Sequence, residues 1–353
     1  MKTNKYLIRF FQVGSGAKGG DAILIRLFDE NDKEHLILID GGYKETGEKI
    51  VNYIKKECST QHIDVVFNTH PDKDHIWGLV TVLNNDDITV GALVLNRPWK
   101  DAKFTKEMFD DHRITDKSLV KRLKDAFGYA DDLEQVAKDK QINIYKGMQG
   151  INCYNGIITV LGPSETLYKR GLLESGKTPE SYIDAGLKDY TPTDYSEENY
   201  VKGKVIEWYD DEQTSNVNQT SLVITLTLGN LKVLFTGDAG KEAINSALDY
   251  YENNGGKASD FTIVQLPHHG SRKNIDPTIL GRFGTPEFII SCPPEGEGEG
   301  HPSRRLINKI LELKPQAKIY VTKRVNFIFH KNVPVSNCTI QVPATTTSKI
   351  DGR

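Results

Sequence analysis

His70-Pro71-Asp72-Lys73-Asp74-His75 packs four metal-competent side chains, His70, Asp72, Asp74 and His75, into six residues. The run follows the short apolar stretch Val65 to Asn68, which reads as a buried strand. It precedes Ile76 to Leu83, whose apolar spacing predicts a helix. In an extended loop, positions two apart share a side, so His70, Asp72 and Asp74 would converge while His75 supplies the opposite flank. That geometry suits two neighbouring cations. A polar turn in which Asp72 or Asp74 caps the following helix would account for one carboxylate, but it requires neither histidine.

Three more groups of the same chemistry stand where predicted strands end, which is where sandwich folds gather functional loops. Asp238 leaves the apolar run Val233-Leu234-Phe235 through Thr236-Gly237, well placed to bridge two cations. His268-His269-Gly270-Ser271 follows Ile263 to Pro267. Its adjacent histidines, His268 and His269, offer one ligand and one supporting or catalytic group. His301 follows the glycine- and glutamate-rich loop 295–300 and offers a last ligand or a general acid.

Outward from these clusters, strand-like runs at Tyr6 to Gln12, Ala22 to Phe28 and Leu36 to Ile39 lead into a helix at Thr46 to Glu57. Val90 to Leu95 is a further strand. The charged segment 102–140 is helical in pattern, with Leu119, Val120, Leu123, Ala126 and Phe127 as its apolar stripe. Ile157 to Leu161 returns to β pattern, and 165–213 reads as a long polar loop. Ser221 to Leu228 and Leu231 to Phe235 form a hairpin across Gly229-Asn230. Helices at Lys241 to Tyr251, Asp276 to Phe283 and Arg304 to Leu313 then alternate with strands at Phe261 to Gln265 and Glu287 to Ser291, up to final strands near Ile319 and Asn326. Two β-rich halves flanked by helices predict an α+β fold, an αββα sandwich. It would form a single domain over 1–345 with insertions near 102–140 and 165–213, and a disordered tail at 346–353.

At 353 residues the chain can bury a sizeable core unaided. Lys+Arg 45 against Asp+Glu 48 gives a formal charge of −3, which excludes the strong positive field of a dedicated nucleic-acid-coating protein. Cys58, Cys153, Cys292 and Cys338 form no Cys-x-x-Cys pair, against both a zinc ribbon and a disulfide framework. With no signal-peptide pattern and no apolar run of membrane-spanning length, a cytoplasmic location and no membrane partner are expected.

The motifs, in this order and spacing, resemble the metallo-β-lactamase superfamily. Asp40-Gly41-Gly42 is similar to its first motif, His70 to His75 to its His-x-His-x-Asp-His motif, and Asp238 to its bridging aspartate. More closely, the chain resembles the ComEC-like branch of metallo-hydrolase domains. The likeness lies in 11–14 with 20–25, in 158–163, in Asn218 to Val223, in Leu234 to Asp238, in Pro267 to Ser271 and in 300–303. Asp72 stands where the general motif has a second histidine, as is usual in that branch. The superfamily's ligand histidine between the cluster and Asp238 has no counterpart here. The only histidine in that interval is His112, in the helical insertion, and Asn218 is one candidate substitute.

The resemblance implies a two-metal hydrolase, with His70, Asp72, Asp74, His75, Asp238 and His269 as metal ligands and Asp74, His268 and His301 as catalytic residues. Carboxylate-rich donors favour Mn²⁺ or Mg²⁺, and Zn²⁺ is also compatible. The implied substrate is DNA or another phosphodiester, with no protein partner identified. Two rival readings keep the metals: hydrolysis of a small phosphodiester, ester or lactam, and a non-catalytic metal-bound sensor or partner-binding module.

Overall fold

The computed structural model describes residues 5–15, 18–179, 208, 213–293, 301–322 and 326–335. The first sheet opens with three antiparallel strands, β1 (Tyr6–Phe10), β2 (Ile23–Phe28) and β3 (Glu34–Ile39). It continues in parallel through β4 (His62–Phe67), β5 (Thr89–Val94) and β6 (Asn143–Tyr145). The parallel steps are made by α1 (Lys44–Glu57) and α2 (Lys73–Asn84), and then by α3 (Pro98–Asp101), α4 (Asp116–Ala126) and α5 (Gly128–Asp139).

The second sheet repeats the plan. β7 (Asn152–Cys153), β8 (Ile158–Gly162), β9 (Val223–Leu228) and β10 (Leu231–Phe235) are antiparallel. β11 (Ile263–Gln265), β12 (Glu287–Ile290) and β13 (Lys318–Val321) follow in parallel. Its helices are α6 (Glu165–Leu173), α7 (Lys241–Asn253), α8 (Pro277–Arg282) and α9 (Arg304–Leu313). The last strand, β14 (Phe327–Lys331), crosses back and pairs with β1, so the orders are β14-β1-β2-β3-β4-β5-β6 and β13-β12-β11-β10-β9-β8-β7.

Burial explains the layering. β2 is buried along its whole length because its two faces serve two cores. Ile23, Ile25 and Leu27 join Ile37, Ile39, Phe67, Ile224, Val233 and Phe235 between the sheets. Leu24 instead packs outward with Leu36, Leu38, Ile50, Ile54, Leu79 and Val82 under α1 and α2. A third core, with Leu234, Val264, Phe288, Ile244, Leu248, Leu306 and Ile310, seats α7 and α9 on the second sheet. The result is the expected αββα sandwich. No helix among the described residues is long and apolar enough to cross a membrane.

Four expectations change. α2 begins at Lys73, so Asp74 and His75 occupy its first turn instead of an extended loop. In α4 the buried residues are Leu119 and Leu123, with Phe127 buried beyond it. Val120 and Ala126 face solvent, because a stripe at 3.6-residue spacing cannot also hold their neighbours. The start of the polar segment 165–213 is a helix, α6, capped by Ser164, whose side chain accepts from Leu167 N–H. The short strands β6 and β7 lay below any periodic signal. Residues 180–207, 209–212 and 346–353, with most of that loop and the tail, lie outside the described residues.

Candidate metal centre

Strand ends from both sheets meet at one rim. Asp40 leaves β3, His70 follows β4, Asp238 follows β10, and His268 with His269 follow β11. α2 is held against the β3 exit by Gly41 N–H to His75 O and Gly78 N–H to Gly42 O, each 2.7 Å. Only glycine allows this approach, since a Cβ on Gly78 would lie 1.9 Å from Gly41 O. The contact delivers the first turn of α2, with Asp74 and His75, into the rim. Asp72 sits at the N-cap position, but its side chain makes no capping hydrogen bond. A capping role therefore does not account for it.

Around Asp238 the imidazoles converge through Nε2. His75 Nε2 lies 3.3 Å from Asp238 Oδ1, and His70 Nε2 lies 3.7 Å from Asp238 Oδ2. His269 Nε2 is 3.4 Å from Asp74 Oδ2, and Asp72 Oδ2 is 3.6 Å from His70 Nε2. Ligands about 2.0–2.2 Å from one tetrahedral ion stand about 3.3–3.6 Å from each other, so these separations match donors around shared cations. Donor atoms of His70, His75 and Asp238 all lie within 4.8 Å of one another, as do those of Asp74, His75 and His269. Asp72 and His268 fall outside these tight sets, at the more exposed edge. His301 is buried behind His268, with ring centroids 5.2 Å apart.

Each ring is aimed from behind. The fully buried Asp40 accepts from Thr69 N–H, Thr69 Oγ1 and Asn68 Nδ2, and its Oδ2 lies 2.8 Å from His75 Nδ1. His269 Nδ1 donates to Ser291 O at 3.0 Å. Fixing Nδ1 as donor leaves Nε2 as the coordinating atom. As a result, His70 Nε2, His75 Nε2, His269 Nε2, Asp238 Oδ1 and Asp21 Oδ1 are buried without a hydrogen-bond partner. Each such orphan costs about 1–3 kcal/mol, and five of them on one centre fit divalent ions well.

Asp21 belongs to this centre and was absent from the sequence-derived ligand set. It is 1% exposed, its Oδ2 accepts from Gln265 Nε2 at 2.8 Å, and it groups with Asp238 and His269. In the sequence it stands within the family-like stretch 20–25, a carboxylate between Gly20 and the apolar strand β2 to which no role was assigned. Asn218 is buried beside His268, with its Nδ2 3.4 Å from His268 Nδ1, whereas His112 is exposed.

The electrostatics follow from charges brought out of water. Burial alone would raise the Asp238 carboxyl, but His268, His75, His269 and His70 hold it well below its ordinary value. Burial opposes a charged His75, yet Asp238, Asp40 and Asp74 raise it well above the usual imidazole range. His269 is pushed up to about 9 against its own burial, by Asp238, Asp74 and Asp21. His301 goes the other way: burial, then the neighbouring His268 and His269, hold it well below, and so neutral. In the ion-free protein, protons on His75 and His269 balance the carboxylates, and cations would replace them.

Residues 15–137 match the metallo-beta-lactamase superfamily model. No curated protein matches the chain. Among solved structures, it is similar to MEM-A1, a subclass B3 metallo-beta-lactamase from a soil metagenome library, at 14% identity, covering 86% of this chain and 96% of that one with a TM-score of 0.32. It is also similar to a long form RNase Z from yeast, at 11% identity, covering 81% of this chain and 37% of that one with a TM-score of 0.37. The superfamily model covers residues 15–137, which supply Asp40, His70, Asp74 and His75, and the remaining strands and helices complete a four-layer sandwich around them: the chain has the metallo-β-lactamase fold.

Proposed function

We propose that the chain is a two-metal phosphodiesterase that acts on DNA, as its resemblance to the ComEC-like metallo-hydrolases implies. The superfamily consists generally of metal-dependent hydrolases with two divalent ions, typically zinc. The observation that carries the metal reading is the set of five buried, unpartnered donor atoms on one centre. Bound ions would supply Lewis acidity and a water ionised near neutral pH.

The chain's own residues supply position and charge. Asp40 and Ser291 hold the His75 and His269 rings in one orientation. Lys177 Nζ, 3.7 Å from Asp72 Oδ1 and 40% exposed, stands at the mouth, where a phosphate would arrive from solvent. The neutral, buried His301 is the residue we assign to orienting that phosphate, through a hydrogen bond from its one ring N–H. Four carboxylates in and around the centre, Asp21, Asp72, Asp74 and Asp238, favour Mn²⁺ or Mg²⁺ more than an all-nitrogen site would. The formal charge of −3 favours the rival reading of a small phosphodiester or ester substrate.

The test is cleavage of labelled single- and double-stranded DNA, and of small phosphodiester, ester and lactam substrates, by metal-stripped protein resupplied with Mn²⁺, Mg²⁺ or Zn²⁺. DNA cleavage that falls steeply with salt is expected. Asp74→Asn, which removes a charge at nearly constant volume, should lower turnover by about 10³-fold. Turnover of only a small substrate would move the assignment there. Metal binding with no turnover of any substrate would leave a sensor or binding module.

A further inference from the structure

We infer that His268 is a metal ligand, the third side-chain donor beside His70 and Asp72 on the outer face of Asp238. The inference rests on the two-metal reading above. The Asp238 carboxylate faces two ways. Its Oδ1 points at His75 Nε2, in the cluster completed by Asp74 and His269. Its Oδ2 is 3.7 Å from His70 Nε2 and also 3.7 Å from His268 Nε2. The inner face thus has two histidines and two carboxylates, Asp74 and Asp21. With His268 counted, the outer face also has two histidines, His70 and His268, with the carboxylate of Asp72.

The hydrogen bonds behind the ring favour a ligand. Asn274 Nδ2 donates to Asp238 O at 2.8 Å and to Ala239 O at 3.4 Å, which turns Asn274 Oδ1 toward His268 Nδ1, 3.1 Å away. This acceptor is nearer than Asn218 Nδ2, 3.4 Å away and already donating to Thr214 Oγ1 at 2.9 Å, so His268 Nδ1 carries the proton and Nε2 presents its lone pair to the Asp238 side. The other three rings are arranged alike. His75 Nδ1 meets Asp40 Oδ2, His269 Nδ1 meets Ser291 O, and His70 Nδ1 meets Thr69 Oγ1 at 3.2 Å. Thr69 Oγ1 spends its own proton on Asp40, so it accepts from His70. Four imidazoles share one orientation, each with Nδ1 braced and Nε2 inward.

The backbone adds a second observation. His268 and His269 have φ of 47° and 57°, a left-handed pair that L-residues avoid at a cost of order 1–3 kcal/mol each. This turn sends adjacent side chains to opposite faces of one carboxylate: His269 toward Asp74, His268 toward Asp238 Oδ2. A single ligand would need only one of them so placed.

The experiment is metal stoichiometry and affinity, by equilibrium dialysis and elemental analysis of stripped protein reloaded with Zn²⁺ or Mn²⁺. Wild type is expected to take up two equivalents. His268→Ala should keep one and bind the second at least about 10–100-fold more weakly, the loss seen when even a supporting group is removed. Two equivalents with unchanged affinities in His268→Ala would overturn the assignment and leave the two-metal reading standing, whereas fewer than two in wild type would remove that reading and this inference together. Because the variant must stay folded, its metal-free melting curve is compared with that of stripped wild type. Independently, ring ¹⁵N shifts of Zn²⁺-loaded wild type should show four Nε2-bound imidazoles; three, with the His268 ring unbound, would overturn the assignment.

Discussion

The exits of β4 and β11 occupy corresponding places in the two sheets, yet they deliver their histidines by different devices. The first uses spacing: His70 and His75 are five residues apart, and the start of α2 folds the second back beside the first, with ring centroids 4.2 Å apart. The second uses backbone conformation: His268 and His269 are adjacent and are separated in space by a left-handed turn. A helix start is favoured by ordinary residues, whereas a left-handed pair is unfavourable for histidine and must be held by its surroundings. The β4 exit should therefore depend most on the groups that brace its rings, and the β11 exit on the residues that hold its turn.

Among single substitutions, the largest stability effect is expected at the brace. Asp40→Ala leaves Thr69, Asn68 and His75 without their shared acceptor, and should destabilise the protein by about 3–5 kcal/mol in urea unfolding, as for other broken buried charge pairs. Little change would mean that the exit holds itself. Withdrawing metal tests both exits at once. With free ion at about 100 times its Kd, each site should add about 2.7 kcal/mol, so chelation should lower the melting temperature of the native protein. An unchanged melt would argue against either exit being a metal site. Gly270→Ala addresses the turn alone. At φ 81° its new Cβ would lie 2.9 Å from Pro302 Cβ, and a loss of about 1–3 kcal/mol, with weaker metal uptake, is expected. A larger loss than for Asp40→Ala would reverse the ranking of the two devices.

The same contrast decides what could be read beforehand. The hairpin at Gly229-Asn230, the helix at Arg304–Leu313 and the strand exits carrying His70, Asp238 and His269 were legible because periodicity and local density are properties of neighbouring residues. Asp21 was not, since a lone carboxylate before a strand acquires meaning only when Gln265 and Asp238, more than two hundred residues away, are placed beside it. Asp40 was legible as part of a motif, but its role as an acceptor for three residues was not. The absence of a histidine between His75 and Asp238, apart from His112, read as a gap in the ligand set. The sequence held a candidate in plain view, the first of two adjacent histidines, but the left-handed turn that separates them has no periodic signature.

The return of β14 to pair with β1 brings Lys331 opposite Tyr6. β1 runs from Tyr6 toward the rim that holds the centre, so Tyr6 and Lys331 lie together at the opposite pole of the sandwich, on one seam. The Gly229-Asn230 hairpin turns at that same rear pole, so a tag inserted there would hang from the back of the molecule and leave the mouth clear.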